Sequence, residues 1–183
     1  MKQQLNLIYR YFTRIYKLSL SSDKQDLLAW KALKKMHVDA GWKSGVYEKG
    51  QYIETVFEIG EEKAGVFNYM ILDREYHCRV NILENFMPEM ATDFFILAAH
   101  FNNLLNKGKV EINVNDRTVE YNYKSDLLVP LLYPGEFHNR MLKHYYTSKD
   151  VYWAFNKLIY EKDEPAIIIA DLLKKNETQE SES

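Results

Sequence analysis

Apolar residues recur at helical spacing in the first twenty residues of the chain. They fall at Leu5, Ile8, Phe12, Ile15 and Tyr16, and every charged side chain in this segment is basic. The pattern predicts an amphipathic helix over residues 1–20, ended by the polar stretch "SLSSDKQD".

A second helix is predicted over about 23–39. Its buried stripe should contain Leu27, Trp30 and Leu33, followed by either His37 or Val38. Gly41 can adopt the left-handed conformation that commonly ends a helix.

Three extended segments follow, "YIETVFEI", "AGVFNYMILD" and "EYHCRVNIL". Their apolar residues alternate, and only short turns separate them. Parallel strands need connections of about a dozen residues, so these three strands should form an antiparallel meander.

The next pattern predicts a helix over about 87–107, followed by a β-hairpin. The core side of the helix should carry Met90, Phe94, Leu97, Phe101 and Leu104.

In "KVEINVNDRTVEYNY", a turn at Asn115 and Asp116 would place Ile112 opposite Val119 and Val110 opposite Tyr121. Both apolar sets would then share one face of the sheet, which supports this register.

The remaining apolar spacing predicts a helix over about 135–146, another that starts after Thr147 or Ser148, and a short final helix. The sequence therefore indicates an α+β fold with one antiparallel sheet of about five strands and helices on its apolar face. The element order is helix, three strands, helix, two strands, helices. We expect a helical extension over 1–22, one domain over 23–175 and a disordered acidic tail over 176–183.

Composition narrows the classes of function. The net charge of −2 gives no general attraction to nucleic acid. No apolar run is long enough to span a bilayer and no signal peptide is evident, so we expect a cytoplasmic protein without a transmembrane segment. Cys78 is the single cysteine, and its place in the strand alternation predicts a buried structural thiol.

Candidate chemistry is sparse. "NVND" offers oxygen atoms but lacks the glycine and the terminal glutamate of a calcium loop, so it is better interpreted as a turn. His138 and His144 are six residues apart and would not share a helix face. We expect no catalytic residue, no metal site and no cofactor.

Polar residues alternate with the apolar ones along the strands and should form the outward face of the sheet. That face could be simply solvated or could bind a partner. These residues are Glu54, Glu58, His77, Arg79, Asn81, Glu111, Asn113, Glu120 and Asn122.

The segment "AHFNNLLNKGKVEI", from Ala99 through Ile112, with the return strand "RTVEYNY", resembles the YbjN-domain family. Members are described as candidate bacterial sensory-transduction regulators, and their fold is similar to that of type III secretion chaperones. The resemblance covers roughly residues 24–160 and implies a non-enzymatic protein that binds another polypeptide. Residues 1–20 and the aromatic-rich C-terminal part depart from the family pattern.

We therefore expect a chaperone-like or regulatory protein with a protein partner, which could be a second copy of the chain. Ile8, Phe12, Ile15 and Tyr16 are the candidate contact residues, although the first helix could instead pack internally or lie on a membrane surface. The alternative function is a small-molecule binder or enzyme. Its pocket would lie between sheet and helices, and its lining would draw on Tyr121, Tyr123, His100 or His144.

Overall fold

The computed structural model describes residues 2–181 of the chain, with side chains described for residues 4–177. The helices and strands follow the predicted order, with one short strand and one short helix that the sequence did not predict. The helices are α1 (Lys2–Leu18), α2 (Ser22–Asp39), α3 (Ala91–Leu104), α4 (Leu128–Leu132), α5 (Pro134–Tyr160) and α6 (Pro165–Ser181). The strands are β1 (Ser44–Tyr47), β2 (Tyr52–Gly60), β3 (Lys63–Leu72), β4 (Glu75–Leu83), β5 (Lys109–Asn113) and β6 (Thr118–Asp126).

The strands form one antiparallel sheet in the order β1-β2-β3-β4-β6-β5. The α+β class, the β2–β3–β4 meander and the hairpin register are confirmed, since Ile112 pairs with Val119 and Val110 with Tyr121. The sheet has six strands, one more than expected. β1 was missed because it is four residues long and lacks apolar alternation; pairing with β2 places it in the sheet.

One face of the sheet carries the core. α5 lies across this face and contacts β2, β4 and β6, while α3 contacts β5 and α6. Large aromatic side chains from both layers fill the space between them, which is the usual packing of helices on an antiparallel sheet. The largest fully buried aromatic residues are Tyr69, Tyr76, Phe67, Phe94, Phe137 and Phe155.

Helix α5 corrects one prediction. The sequence divided this region into a helix over 135–146 and a second one after Thr147 or Ser148, but the structure has one continuous helix of 27 residues. The Ser148 hydroxyl donates a hydrogen bond of 2.7 Å to the carbonyl of His144, one turn earlier. A serine that bonds back in this way is compatible with a helix interior and does not start a new helix.

Two helix ends and parts of two core stripes also differ from expectation. α3 begins at Ala91, after a short 3₁₀ turn at Pro88–Met90, and ends at Leu104. As the last residue of the helix, Leu104 is exposed. In α2, Leu27 and Val38 are exposed, whereas Trp30, Leu33 and His37 are buried. The buried side of α2 therefore lies at a different angle around the helix from the predicted one, and it also contains Gln25, Ala29 and Met36.

The C-terminal tail also differs. α6 continues to Ser181, so residues 176–181 are helical where a disordered tail was expected from residue 176. Glutamate and glutamine in this stretch are good helix formers, which is consistent with a helix despite the polar composition. Residues 182–183 of the expected tail lie outside the described residues.

Candidate partner-binding surface

Helix α1 presents its apolar side to solvent. The four residues expected to contact a partner are all exposed: Ile8 by 53%, Phe12 by 64%, Ile15 by 44% and Tyr16 by 63%. Five further large apolar side chains of the helix are exposed as well, Leu5, Leu7, Tyr9, Tyr11 and Leu18. We call these nine residues the α1 apolar face. A contiguous apolar surface of this kind is uncommon on a monomer and usually marks a binding site.

The polar side of α1 holds the helix to the rest of the protein. Arg14 Nε donates to the carbonyl of Leu132 at 3.2 Å, and Lys17 Nζ donates to the carbonyl of Leu131 at 2.8 Å. The guanidinium of Arg14 also lies 4.3 Å from the centre of the Tyr133 ring. Leu131 and Leu132 end α4, where the last carbonyls of a helix have no partner within the helix and attract cations.

This attachment explains the direction of the apolar face. In most surface helices the apolar side faces the core and the charges face water. Here two basic side chains donate hydrogen bonds to carbonyls of α4, so the opposite, apolar side of α1 points away from the domain. The contact with α4 was not expected from sequence. The three-residue spacing of Arg14 and Lys17, which puts both on one side of the helix, was the available signal.

The buried thiol lies beside an unexpected neighbour. Cys78 is buried, as predicted, and its Sγ is 3.3 Å from His144 Nδ1. Burial raises the pKa of the Cys78 thiol well above its ordinary value and lowers the pKa of His144 to about 3. Both groups are therefore neutral near pH 7, and the pair does not form the thiolate–imidazolium couple of a cysteine nucleophile. Its contact is a structural one.

A second buried histidine lies near the start of the sheet. His37 Nδ1 is 3.1 Å from Ser44 Oγ and 3.3 Å from Thr55 Oγ1, and the two hydroxyl oxygens are 2.7 Å apart. Burial lowers the pKa of His37 to about 4. This neutral cluster links α2 to β1 and β2, and none of its hydrogen bonds reaches a carboxylate that would orient the ring for catalysis.

The "NVND" stretch behaves as a turn. Asn113 Nδ2 donates to Asp116 Oδ2 at 2.6 Å, and the backbone N–H of Asp116 donates to Asn113 Oδ1 at 3.1 Å. Arg117 completes the turn with a positive φ of 53°. In the part of the chain that the structure describes, no three His, Cys, Asp or Glu side chains are arranged to hold a metal ion.

The outward face of the sheet is largely paired with itself. Arg79 contacts Glu120, and Asn122 Nδ2 donates to Glu111 Oε2 at 2.7 Å across neighbouring strands. Asn81 Nδ2 donates to Glu84 Oε1 at 2.8 Å. The first two contacts join neighbouring strands and the third is local, and such pairing is typical of the solvated side of an antiparallel sheet.

Three of the four residues named for the alternative pocket come together. Tyr121, Tyr123 and His144 line a cavity of about 350 Å³ between β6 and α5. His100, on α3, is not among its lining residues.

The fold of this chain is similar to that of a solved protein structure. No protein-family model and no curated protein matches the chain. The structure is similar to that of YbjN from E. coli, which is proposed to be a transcription regulator, with a TM-score of 0.48 and 11% sequence identity. The match covers 65% of this chain and 86% of that one. It agrees with the resemblance that the sequence motif indicated, and it concerns the fold alone.

Among the described residues, no helix is both long and apolar enough to cross a membrane.

Proposed function

We propose that this chain is a non-enzymatic, chaperone-like or regulatory protein that binds another polypeptide through the α1 apolar face. The observation that carries the proposal is the outward direction of that face while the polar side of α1 is held by α4. An amphipathic helix displayed in this way fits the common mode in which a helix lies in an apolar groove of its partner.

The charges of α1 favour a particular kind of partner. In the described part of α1, Arg10 is an exposed basic side chain that does not contact α4, and the helix has no acidic residue, so a complementary groove would have apolar walls and an acidic group near Arg10. A bilayer surface is the weaker candidate for this face. Arg14 and Lys17 already contact α4 carbonyls and are not free to pair with anionic headgroups.

The non-enzymatic part of the proposal has support from the buried histidines. His37 and His144 are neutral near pH 7 and contact hydroxyl or thiol groups inside the core. A general base works best when its pKa is near the operating pH and a substrate can reach it. Neither histidine meets these conditions.

Position-specific photo-crosslinking tests the proposal. The photoreactive residue p-benzoylphenylalanine would replace Phe12, at the centre of the apolar face, or Asn6, an exposed residue on the polar side of the same helix. Irradiation in the source cells should give a crosslinked polypeptide from position 12 and none from position 6. Adding Ile8→Glu should remove the crosslink, because a buried charge disfavours an apolar interface.

The outcomes separate the alternatives. A crosslinked species of twice the chain's mass would identify a second copy as the partner, which remains within the proposal. Equal crosslinking from both positions, or recovery of lipid adducts alone together with flotation of the protein on vesicles, would contradict it.

A further inference from the structure

A second surface, distinct from α1, has the features of a ligand site. The 350 Å³ cavity between β6 and α5 is closed on a third side by the segment that follows α3. Its apolar lining consists of Leu104, Leu105, Tyr121 and Tyr123. A cavity of this size, walled by aromatic and aliphatic side chains, falls in the range of small-molecule sites.

Three cations line the same cavity. Arg140 is already occupied, since it contacts Glu136 and donates to the hydroxyl of Tyr123 at 3.4 Å. Lys107 and Lys143 are exposed at the cavity and, in the described part of the chain, form no ion pair. A ligand carrying an anionic group would therefore meet two lysines that the protein itself leaves unpaired.

The cavity is held in shape by the packing of the segment after α3. Gly108 has a φ of +88°, and a Cβ atom there would lie 2.6 Å from the hydroxyl oxygen of Tyr121. This close approach allows the Tyr121 hydroxyl to donate to the carbonyl of Lys107 at 3.3 Å. The hydrogen bond ties the Lys107 backbone to β6.

The inner wall carries no charge of its own. The His144 ring stacks on the Tyr121 ring, with centroids 4.5 Å apart and planes 13° apart. Because burial keeps His144 neutral near pH 7, the charged side chains at the cavity are Lys107, Lys143 and the paired Arg140 and Glu136. A flat apolar group could lie against the tyrosines and leucines while its acid reaches outward.

We propose that this cavity binds a small organic acid, a carboxylate or phosphate attached to an apolar or aromatic body. The acid contacts Lys107 and Lys143, and the body lies against Tyr121 and Tyr123. The inference does not depend on the function proposed for α1, because no residue of α1 lines the cavity.

Two-dimensional ¹H–¹⁵N spectra of the full chain test this site. The probes are 1-naphthoate and phenyl phosphate, and neutral 1-naphthamide is the matched control ligand. Saturable shifts should appear at the amides of Lys107, Gly108 and Tyr121. The amide ligand should bind about tenfold more weakly, because it lacks the charge-assisted hydrogen bonds.

Variants supply the second test. Lys107→Gln with Lys143→Gln should weaken 1-naphthoate about tenfold for the same reason. Lys24→Gln with Lys31→Gln, which removes two exposed lysines of α2, should leave the affinity unchanged. Phe12→Glu should also have no effect.

The proposal is overturned if neither anionic probe gives a saturable shift at millimolar concentration. It is equally overturned if naphthoate and naphthamide bind alike, if the shifts map to α1, or if the double variant at the cavity binds as the wild type does.

Discussion

Asn102 holds both backbone groups of Val110. Its Nδ2 donates to the Val110 carbonyl at 3.0 Å, and the Val110 N–H donates to its Oδ1 at 2.7 Å. β5 lies at one edge of the sheet, so these groups point away from β6 and would otherwise lack a strand partner. The asparagine side chain therefore joins α3 to the strand and covers part of an edge that could pair with another chain.

Asn102→Ala should destabilise the protein by about 1–3 kcal/mol, because two half-buried backbone groups lose their hydrogen-bond partners. Urea unfolding measures the change. Asn103→Ala is the matched control, since Asn103 is exposed and its side chain makes no hydrogen bond among the described residues. The control should stay within about 0.5 kcal/mol of the wild type. Equal effects at the two positions would contradict the role assigned to Asn102.

Gly108→Ala should destabilise the protein by more than about 1 kcal/mol, since a side chain there needs a left-handed backbone and collides with Tyr121. Gly135→Ala should change the stability in the opposite direction. Gly135 lies in the first turn of α5 with nothing within 4 Å of a new Cβ, so alanine should stabilise the helix by up to about 1 kcal/mol. Thermal unfolding of the two variants checks this difference in sign.

Acid should weaken the fold through the two buried histidines. Burial lowers the pKa of His37 to about 4 and that of His144 to about 3, from an ordinary value of 6.5. Below pH 6.5 the unfolded chain binds protons that the folded chain excludes. The free energy of unfolding is therefore fully retained above this pH and falls as the pH drops toward 4.

Each histidine should contribute a slope approaching 1.4 kcal/mol per pH unit, by the usual linkage relation. Urea unfolding between pH 7.5 and 4.5 measures the slope. His37→Gln or His144→Gln should each reduce the slope by the amount that corresponds to about one proton bound on unfolding. Should either variant fail to fold, proton uptake on unfolding of the wild type gives the same number by potentiometry. Uptake near zero at pH 5 would show that these histidines are not held neutral.

Removing the contacts between α1 and α4 should release α1. In the double variant Arg14→Ala with Lys17→Ala, amide hydrogen exchange over residues 4–18 should speed up by about tenfold or more, because two charge-assisted hydrogen bonds are lost. Arg10→Ala is the control, since Arg10 is an exposed cation of the same helix without such a bond. Exchange that is unchanged in the double variant would mean that α1 is held by other contacts.

Local pattern was sufficient for much of this fold. The alternation around Cys78 placed it on the buried side of β4, and the pairing of Ile112 with Val119 followed from matching two apolar sets across a turn. The helical spacing of Ile8, Phe12 and Ile15 likewise defined an apolar side of α1. These results depend on periods of two and 3.6 residues, which a short stretch of sequence displays by itself.

Tertiary structure decided what depends on residues far apart in the chain. It made α5 one helix, placed His144 against Cys78 and Tyr121, and paired β1 with β2. It also set the direction of α1, because Arg14 and Lys17 find their carbonyl partners more than a hundred residues later, at the end of α4. Periodicity determines which side of a helix is apolar, but only contacts with distant parts of the chain determine what that side faces.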